Sequence, residues 1–264
     1  MQSVKPHVCL VARTGISVSE MHEYLADAGG ADWLGMRADD PGDATAASDL
    51  TEFGGRLCYK SWTEGLNPNV TRIRKDHAAY IANIIASGHG SVLEHASFSL
   101  ALGNVSRVLT HELVRHRAGV AISQESLRYV RLTEIPFWFP EWAEDDAELT
   151  ARSADILQAL EAHQAWMTEH FGLDDPGVPF AEKKHTTSFM RRFLPDGTAT
   201  QILLTANARA LRHIITVRTE PHAEEEIRLV AGMIAELMTA EEPLLFGDFR
   251  QQDDGSWVPR HRKV

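Results

Sequence analysis

The stretch "LVRHRAGVAISQESLRYV", residues 113–130, gathers three arginines, a histidine and two serines, in a chain whose formal net charge is −11. Such a local cluster of cations in an acidic protein points to a small anionic ligand rather than to broad polyanion binding. The stretch also sits at a change of structure. Before it, "SRVLTHELVRHR" reads as a short helix; at its end, "SLRYVRL" reads as a strand leaving a basic loop.

Periodicity extends this pattern in both directions. Upstream, "ASFSLALGNV" alternates like a half-buried strand with Phe98 and Leu100 on one side. Ile73, His77, Ile81 and Ile84 mark one face of a helix starting near Thr71, with Gly88 at the position of a C-cap glycine. "HVCLVART" reads as a short strand, and residues 26–50, rich in Gly, Ala and Asp, as a loop. Downstream, "PFWFPEW" breaks regularity and reads as hydrophobic loop packing. Leu149, Ile156, Leu160, Met167 and Phe171 indicate a long amphipathic helix ending at Gly172. A second helix follows over 180–193, then a buried strand "TATQILLT" and a helix "NARALRHIITVRT". A last long helix starts around Pro221, with Glu224, Glu225 and Glu226 suited to its positive end. The tail 252–264 is polar and expected to be mobile. Helices interspersed with a few strands make the fold class α+β, with a small sheet flanked by long helices in a single domain, 1–264.

Several chemistries lack their signatures. The two cysteines, Cys9 and Cys58, form no C-x-x-C, which disfavours a zinc ribbon, a redox pair or a disulfide framework and suits a reducing cytoplasm. Cys58 reads as a small buried thiol. There is no apolar run of about 18 residues, so no membrane span is expected. "HELVRH" is one residue too long for the zincin motif, and its two histidines would lie roughly 140° apart around a helix. No metal site is expected. With no G-x-G-x-x-G and no Walker loop, side chains must hold any nucleotide. Arginine forks suit phosphate oxygens. Arg115, Arg117 and Arg128 neighbour apolar positions, which suggests a partly buried place needing an anion, against the plainer reading of a solvated face paired with Glu112 and Glu125. "NARALRHIITVRTEPH" repeats the arginine theme with Arg209, Arg212 and Arg218. Ser126 has no nucleophile elbow and reads as a ligand hydroxyl or turn residue.

"RHRAGVAISQESLRY" resembles the signature of the flavin-dependent thymidylate synthases: an RHR, then a serine, then Arg-Tyr. "GHGSVLEH", "RRFLP" and "NARALRHIITVRTEPHAEEEI" resemble further blocks of that family, in the same order, over roughly residues 55 to 250. The resemblance implies an α+β enzyme that makes dTMP from dUMP with FAD, NADPH and methylenetetrahydrofolate. It implies a homotetramer with active sites between subunits; the cysteine pattern adds the expectation of the cytoplasm, and the acidic balance and lack of a long apolar run that of no nucleic-acid or membrane partner. A non-catalytic nucleotide- or RNA-binding module is the competing reading, disfavoured by acidity and by the lack of interleaved aromatics in the basic loop.

Carried over position by position, the resemblance assigns Ser91, Arg115, His116, Arg117, Glu125, Asn207, Arg209, His213 and His222 to FAD. It assigns Glu112, Glu125, Ser126, Arg128, Arg191 and Arg218 to dUMP, and Ser126, Arg218 and His89 to the reacting centre. His213 stands where some relatives carry Asn, and Cys58 where relatives often carry Ser. One feature departs from the family. "AGVAISQE" places eight residues between RHR and the serine, where seven is common. Alignment on "SLRY" selects Ser126, because Arg128 and Tyr129 then match too, and leaves the shape of residues 118–122 open.

Overall fold

The computed structural model describes residues 2–33 and 43–264. The strands are β1 (Gln2–Ser3), β2 (His7–Arg13), β3 (Ser97–Ser106), β4 (Val120–Gln124), β5 (Pro136–Phe137), β6 (Ala199–Asn207), β7 (Phe249–Gln251) and β8 (Trp257–Pro259). The helices are α1 (Val18–Ala28), α2 (Ala46–Tyr59), α3 (His77–Ala86), α4 (Arg107–Leu113), α5 (Glu141–Glu144), α6 (Ala147–His170), α7 (Phe180–Met190), α8 (Ala208–Arg218), α9 (Glu225–Glu241) and α10 (Pro243–Phe246). Short 3₁₀ turns cover Gly90–Glu94 and Arg191–Phe193. The fold is α+β: a four-stranded sheet of order β2-β3-β6-β4, a parallel β1-β5 pair and an antiparallel β7-β8 pair, with long helices.

The described chain forms two compact units. One comprises residues 2–9, Ala101–Arg115 and Ile122–Leu204; the other comprises Leu10–Leu100, His116–Ala121 and Thr205–Val264. The first holds α6 and α7. On α6 the buried side chains are Leu157, Gln164 and Met167, with Leu160 packed beside them, a 3-4-3 spacing that defines one helix face. Leu149, Ile156 and Phe171, expected on that face, are exposed. Ile135, Phe139 and Ala143 pack on Leu157, and Phe137 lies 4.9 Å from Phe139, so the phenylalanines of "PFWFPEW" are packed rather than displayed.

The second unit is built on α2, α3, α8 and α9. The apolar sides of α8 and α9 bury Leu211, Ile214, Ile215, Ile227, Val230 and Ile234. Between α2 and α3 lies a buried polar knot. Glu52 and Arg56, both 0% exposed, pair at 2.6 Å; Trp33 donates to Glu52 at 3.0 Å, and His77 contacts both Glu52 and Ser48. Burial raises the Glu52 carboxyl's pKa, but the His77 hydrogen bond and the Arg56 guanidinium outweigh it and hold the carboxyl below its usual range.

Several boundaries differ from the sequence reading, each for a local reason. Residues 26–50 are not all loop: α1 runs to Ala28, and a reciprocal Thr45–Ser48 capping box starts α2 at Ala46. The rest of that segment, 34–42, lies outside the described residues. α3 starts at His77, where Asp76 accepts from Ala79 N, and not near Thr71. α9 starts at Glu225, because the Glu224 carboxylate caps the amides of Glu226 and Ile227 four residues after the expected start. The tail is ordered: β7 and β8 form a ladder, and Trp257 N donates to Thr219 Oγ1 at 2.8 Å.

Candidate active site

The basic loop is a sharp turn followed by a strand. Val120 N donates to Arg117 O, and Gly119 sits at φ +67°. A side chain at Gly119 would approach Asn207 Nδ2 to 2.4 Å, and Asn207 N donates to Gly119 O at 3.0 Å. The eight residues between RHR and Ser126 thus open with a tight turn packed against Asn207, which itself caps α8 by accepting from Ala210 N at 2.8 Å. The strand after the turn is β4, over Val120–Gln124. The stretch "SLRYVRL" is not a strand: Tyr129 N and Val130 N both donate to Ser126 O, closing a turn in which Ser126 Oγ accepts weakly from Arg128 N at 3.4 Å. Thr187 holds this turn by donating to Arg128 O at 2.7 Å.

In the unit containing α8, two groups of assigned residues meet. Arg218 Nε donates to His116 Nε2 at 2.8 Å, and the His213 ring stands edge-on to His116 with centroids 5.8 Å apart. Burial, then the Arg218 charge and then His213 push the His116 imidazole down to about 4, so the ring is neutral at ordinary pH. The second group surrounds a cavity of about 370 Å³ lined by Tyr59, His89, Ser91, Arg209 and Cys58 among others. Tyr59 stacks on His89 at 5.6 Å, and Arg209 pairs with Glu94 at 2.6 Å. α3 is capped by Ser87; Gly88 follows at φ +70°, and His89 N returns to Ile84 O, which leads the chain into the 88–91 loop that lines this cavity. Arg117 and His222 are exposed. Cys58, expected to be buried, is exposed in the cavity wall, because it lies at the open end of α2.

The unit containing α6 carries the other assigned residues. Glu125 N pairs with Gln201 O on β6, and Thr200 Oγ1 donates to the Glu125 carboxylate at 3.4 Å. Arg115 donates to His111 O, and Arg115 N to Glu112 O. Arg115, Arg128 and Arg191 are exposed, as is Arg117 of the other unit, so the inference that the arginines of the basic loop are partly buried does not hold. The chain ends α4 before RHR and leaves these side chains on turns. Sequence reading passed over Arg107, which opens α4. Its Nη2 donates to Glu125 O at 3.3 Å, while its Nε and the neighbouring Thr198 Oγ1 are buried without hydrogen-bond partners among the described residues. Burial lowers its pKa, with Glu125 opposing and Arg191 adding to the effect. The one hint in the sequence was an arginine directly after the strand-ending Ser106.

Residues 43–244 match the family model described as "Thymidylate synthase complementing protein". This chain belongs to the thymidylate synthase complementing protein family. It is 39% identical over 212 residues to the flavin-dependent thymidylate synthase of Mycolicibacterium gilvum (strain PYR-GCK), spanning 78% of this chain and 81% of that protein. It is 38% identical over 210 residues to the enzyme of that name from Mycobacterium tuberculosis (strain ATCC 25618 / H37Rv), with the same coverage. A third such enzyme, from Mycobacterium sp. (strain JLS), is 38% identical over 220 residues. Every assigned residue, from His89 to His222, falls inside the stretch matched to the thymidylate synthase complementing protein family; β7, β8 and Asp248 lie beyond it.

Proposed function

We propose that the protein is a flavin-dependent thymidylate synthase, converting dUMP to dTMP with methylenetetrahydrofolate as one-carbon donor, NADPH as reductant and FAD as cofactor. The family match over residues 43–244 carries this reading. The cavity lining supports it: stacked Tyr59 and His89 suit a planar ring system, while Arg209 and Ser91 offer a cation and a hydroxyl to phosphate oxygens. The close approach at Gly90, where a side chain would come within 2.8 Å of Arg209 Nε, makes the rim backbone-lined. Bound FAD supplies the redox chemistry, which no side chain of the protein can provide.

The chain's own residues bind and orient. Ser91, Arg115, His116, Arg117, Glu125, Asn207, Arg209, His213 and His222 hold FAD; Glu112, Glu125, Ser126, Arg128, Arg191 and Arg218 hold dUMP. Ser126, Arg218 and His89 are the residues we assign to the reaction itself. A guanidinium stabilises negative charge that develops on the uracil when C5 is activated. The neutral His116, fixed by Arg218, adds no competing positive charge. Ser126 orients the nucleotide and is not a nucleophile; its hydroxyl is engaged in a turn, with no base bonded to it among the described residues. We read residues 1–264 as one catalytic domain, whose described part folds as two compact units, in a cytoplasmic homotetramer with active sites between subunits. No described helix is long and apolar enough to cross a membrane.

The test is tritium release from C5-labelled dUMP by FAD-loaded protein given NADPH and methylenetetrahydrofolate. Release that depends on all three components is expected; its absence overturns the reading. Light scattering reports the tetramer.

A further inference from the structure

Residues 260–264, outside the stretch shared with the family, pack against the 88–91 loop. A side chain at Gly88 would meet Lys263 O at 2.9 Å; one at Gly90 would meet the Val264 carbonyl carbon at 2.9 Å and Arg209 Nε at 2.8 Å. Real Cβ atoms do not approach that closely, so both glycines of "GHG" are needed where the tail and Arg209 press on the loop. Gly88 and Gly90, which the tail approaches, line the cavity together with His89, Ser91 and Arg209.

The tail reaches this place by a chain of specific bonds. Arg212 on α8 is 3% exposed and grips Asp248 with both arms of its guanidinium, at 2.6 and 2.9 Å, while also donating to Leu245 O at 2.6 Å. Its charge lies 4.8 Å from the centre of the Phe249 ring. Asp248 in turn accepts from the tail: Arg260 N donates to its carbonyl at 3.0 Å, and His261 N to its carboxylate at 3.4 Å. Burying a bidentate ion pair only to hold a peripheral hairpin is a costly arrangement, since desolvation offsets most of the attraction. Delivering residues 260–264 to the loop gives the pair a reason. Arg209 and Arg212, three residues apart on α8, are then a cavity-lining arginine and the anchor of the segment that presses on the cavity's glycines.

We propose that residues 260–264 are a strap that holds the 88–91 loop and Arg209 in the shape that takes up FAD, with Asp248 as the residue that positions the strap. The inference rests on the flavin reading above. It predicts a preorganised cavity in the FAD-free protein, whose loss weakens binding without removing any group that touches the cofactor.

Two changes test it: a chain ending after Pro259, and Asp248→Ala beside Asp248→Asn. The readouts are the FAD dissociation constant, from flavin fluorescence on titration of FAD-free protein, and amide hydrogen exchange at residues 88–91 without FAD. The shortened chain is expected to bind FAD about tenfold more weakly and to exchange faster at 88–91, with an unchanged melting temperature. Asp248→Ala is expected to show the same weaker FAD binding and faster exchange at 88–91, with a lower melting temperature as well because it leaves the buried Arg212 unpaired, and Asp248→Asn, which keeps an acceptor for His261 N, restores most of the FAD affinity. FAD affinity within about twofold of the parent, with unaltered exchange, overturns the proposal. If Asp248→Ala does not fold, the shortened chain, which retains the Arg212–Asp248 pair, decides. A parent protein that takes up no FAD overturns the flavin reading, and the exchange data then judge the strap alone.

Discussion

Arg218 donates from Nε to Nε2 of His116 at 2.8 Å, and that bond fixes the imidazole's proton on Nδ1. Burial, Arg218 and His213 together lower the ring from 6.5 to about 4. Between those values the unfolded chain binds a proton that the folded chain does not, so stability is intact above this window and falls as pH drops through it. NMR titration of the His116 ring is expected to show a midpoint near 4. Removing the charge by Arg218→Ala should raise it only in part, because burial is the larger cause. A midpoint at the ordinary histidine value would contradict the arrangement.

Arg218→Ala should also weaken dUMP binding by about tenfold or more, since hydrogen bonds to a charged group are worth about 1.5–3 kcal/mol. Arg218→Lys should not restore it, because an ammonium cannot reproduce the fork. Calorimetric titration with dUMP measures both. Unchanged affinity in the alanine variant would remove Arg218 from the nucleotide site.

Ser126→Ala is expected to slow turnover yet leave it measurable, with the turn at 126–130 intact, because Tyr129 N and Val130 N bond the Ser126 carbonyl and only the weak contact from Arg128 N uses the hydroxyl. Complete loss of tritium release with normal dUMP binding would restore the serine as a nucleophile.

Gly119→Ala forces a side chain into the left-handed region and onto Asn207. The conformation alone costs roughly 1–2 kcal/mol, and displacement of Asn207 should weaken FAD binding as well. A melting curve and a flavin titration check the two effects separately.

Glu52→Gln removes the charge that holds Arg56 and His77 in the interior. Breaking a buried pair in this way costs about 3–5 kcal/mol, which urea denaturation would reveal as a lower midpoint. A loss below about 1 kcal/mol would mean that Arg56 finds compensation in its carbonyl contacts to residues 61 and 74.

Much of this was legible in the sequence where one rule acts alone. β3 follows from alternation, the order strand-then-helix at β6 and α8 from the two adjoining stretches "TATQILLT" and "NARALRHIITVRT", and the family from ordered blocks of residues. What stayed hidden was set by partners distant in sequence. "SLRYVRL" alternates as a strand does, but Thr187 and the Ser126 carbonyl take its backbone bonds and bend it into turns. The tail reads as mobile because its composition is polar, yet Asp248 and Thr219 tie it down through backbone amides that no side-chain pattern displays. Arg107 looked like an ordinary helix-opening residue, and only packing shows that its Nε is enclosed. The turn that follows RHR was hidden as well, because it rests on Gly119 taking a positive φ.

α8 carries Arg209 in its first turn and Arg218 in its last, about 14 Å apart along the axis at 1.5 Å per residue. A helix is stiff over that length, so the two guanidinium groups travel together. A shift of the helix that loosens the grip at one end also misplaces the other, which makes α8 a mechanical ruler. If Arg209 holds FAD and Arg218 holds dUMP, as proposed, cofactor and nucleotide need not touch for each to register whether the other is seated.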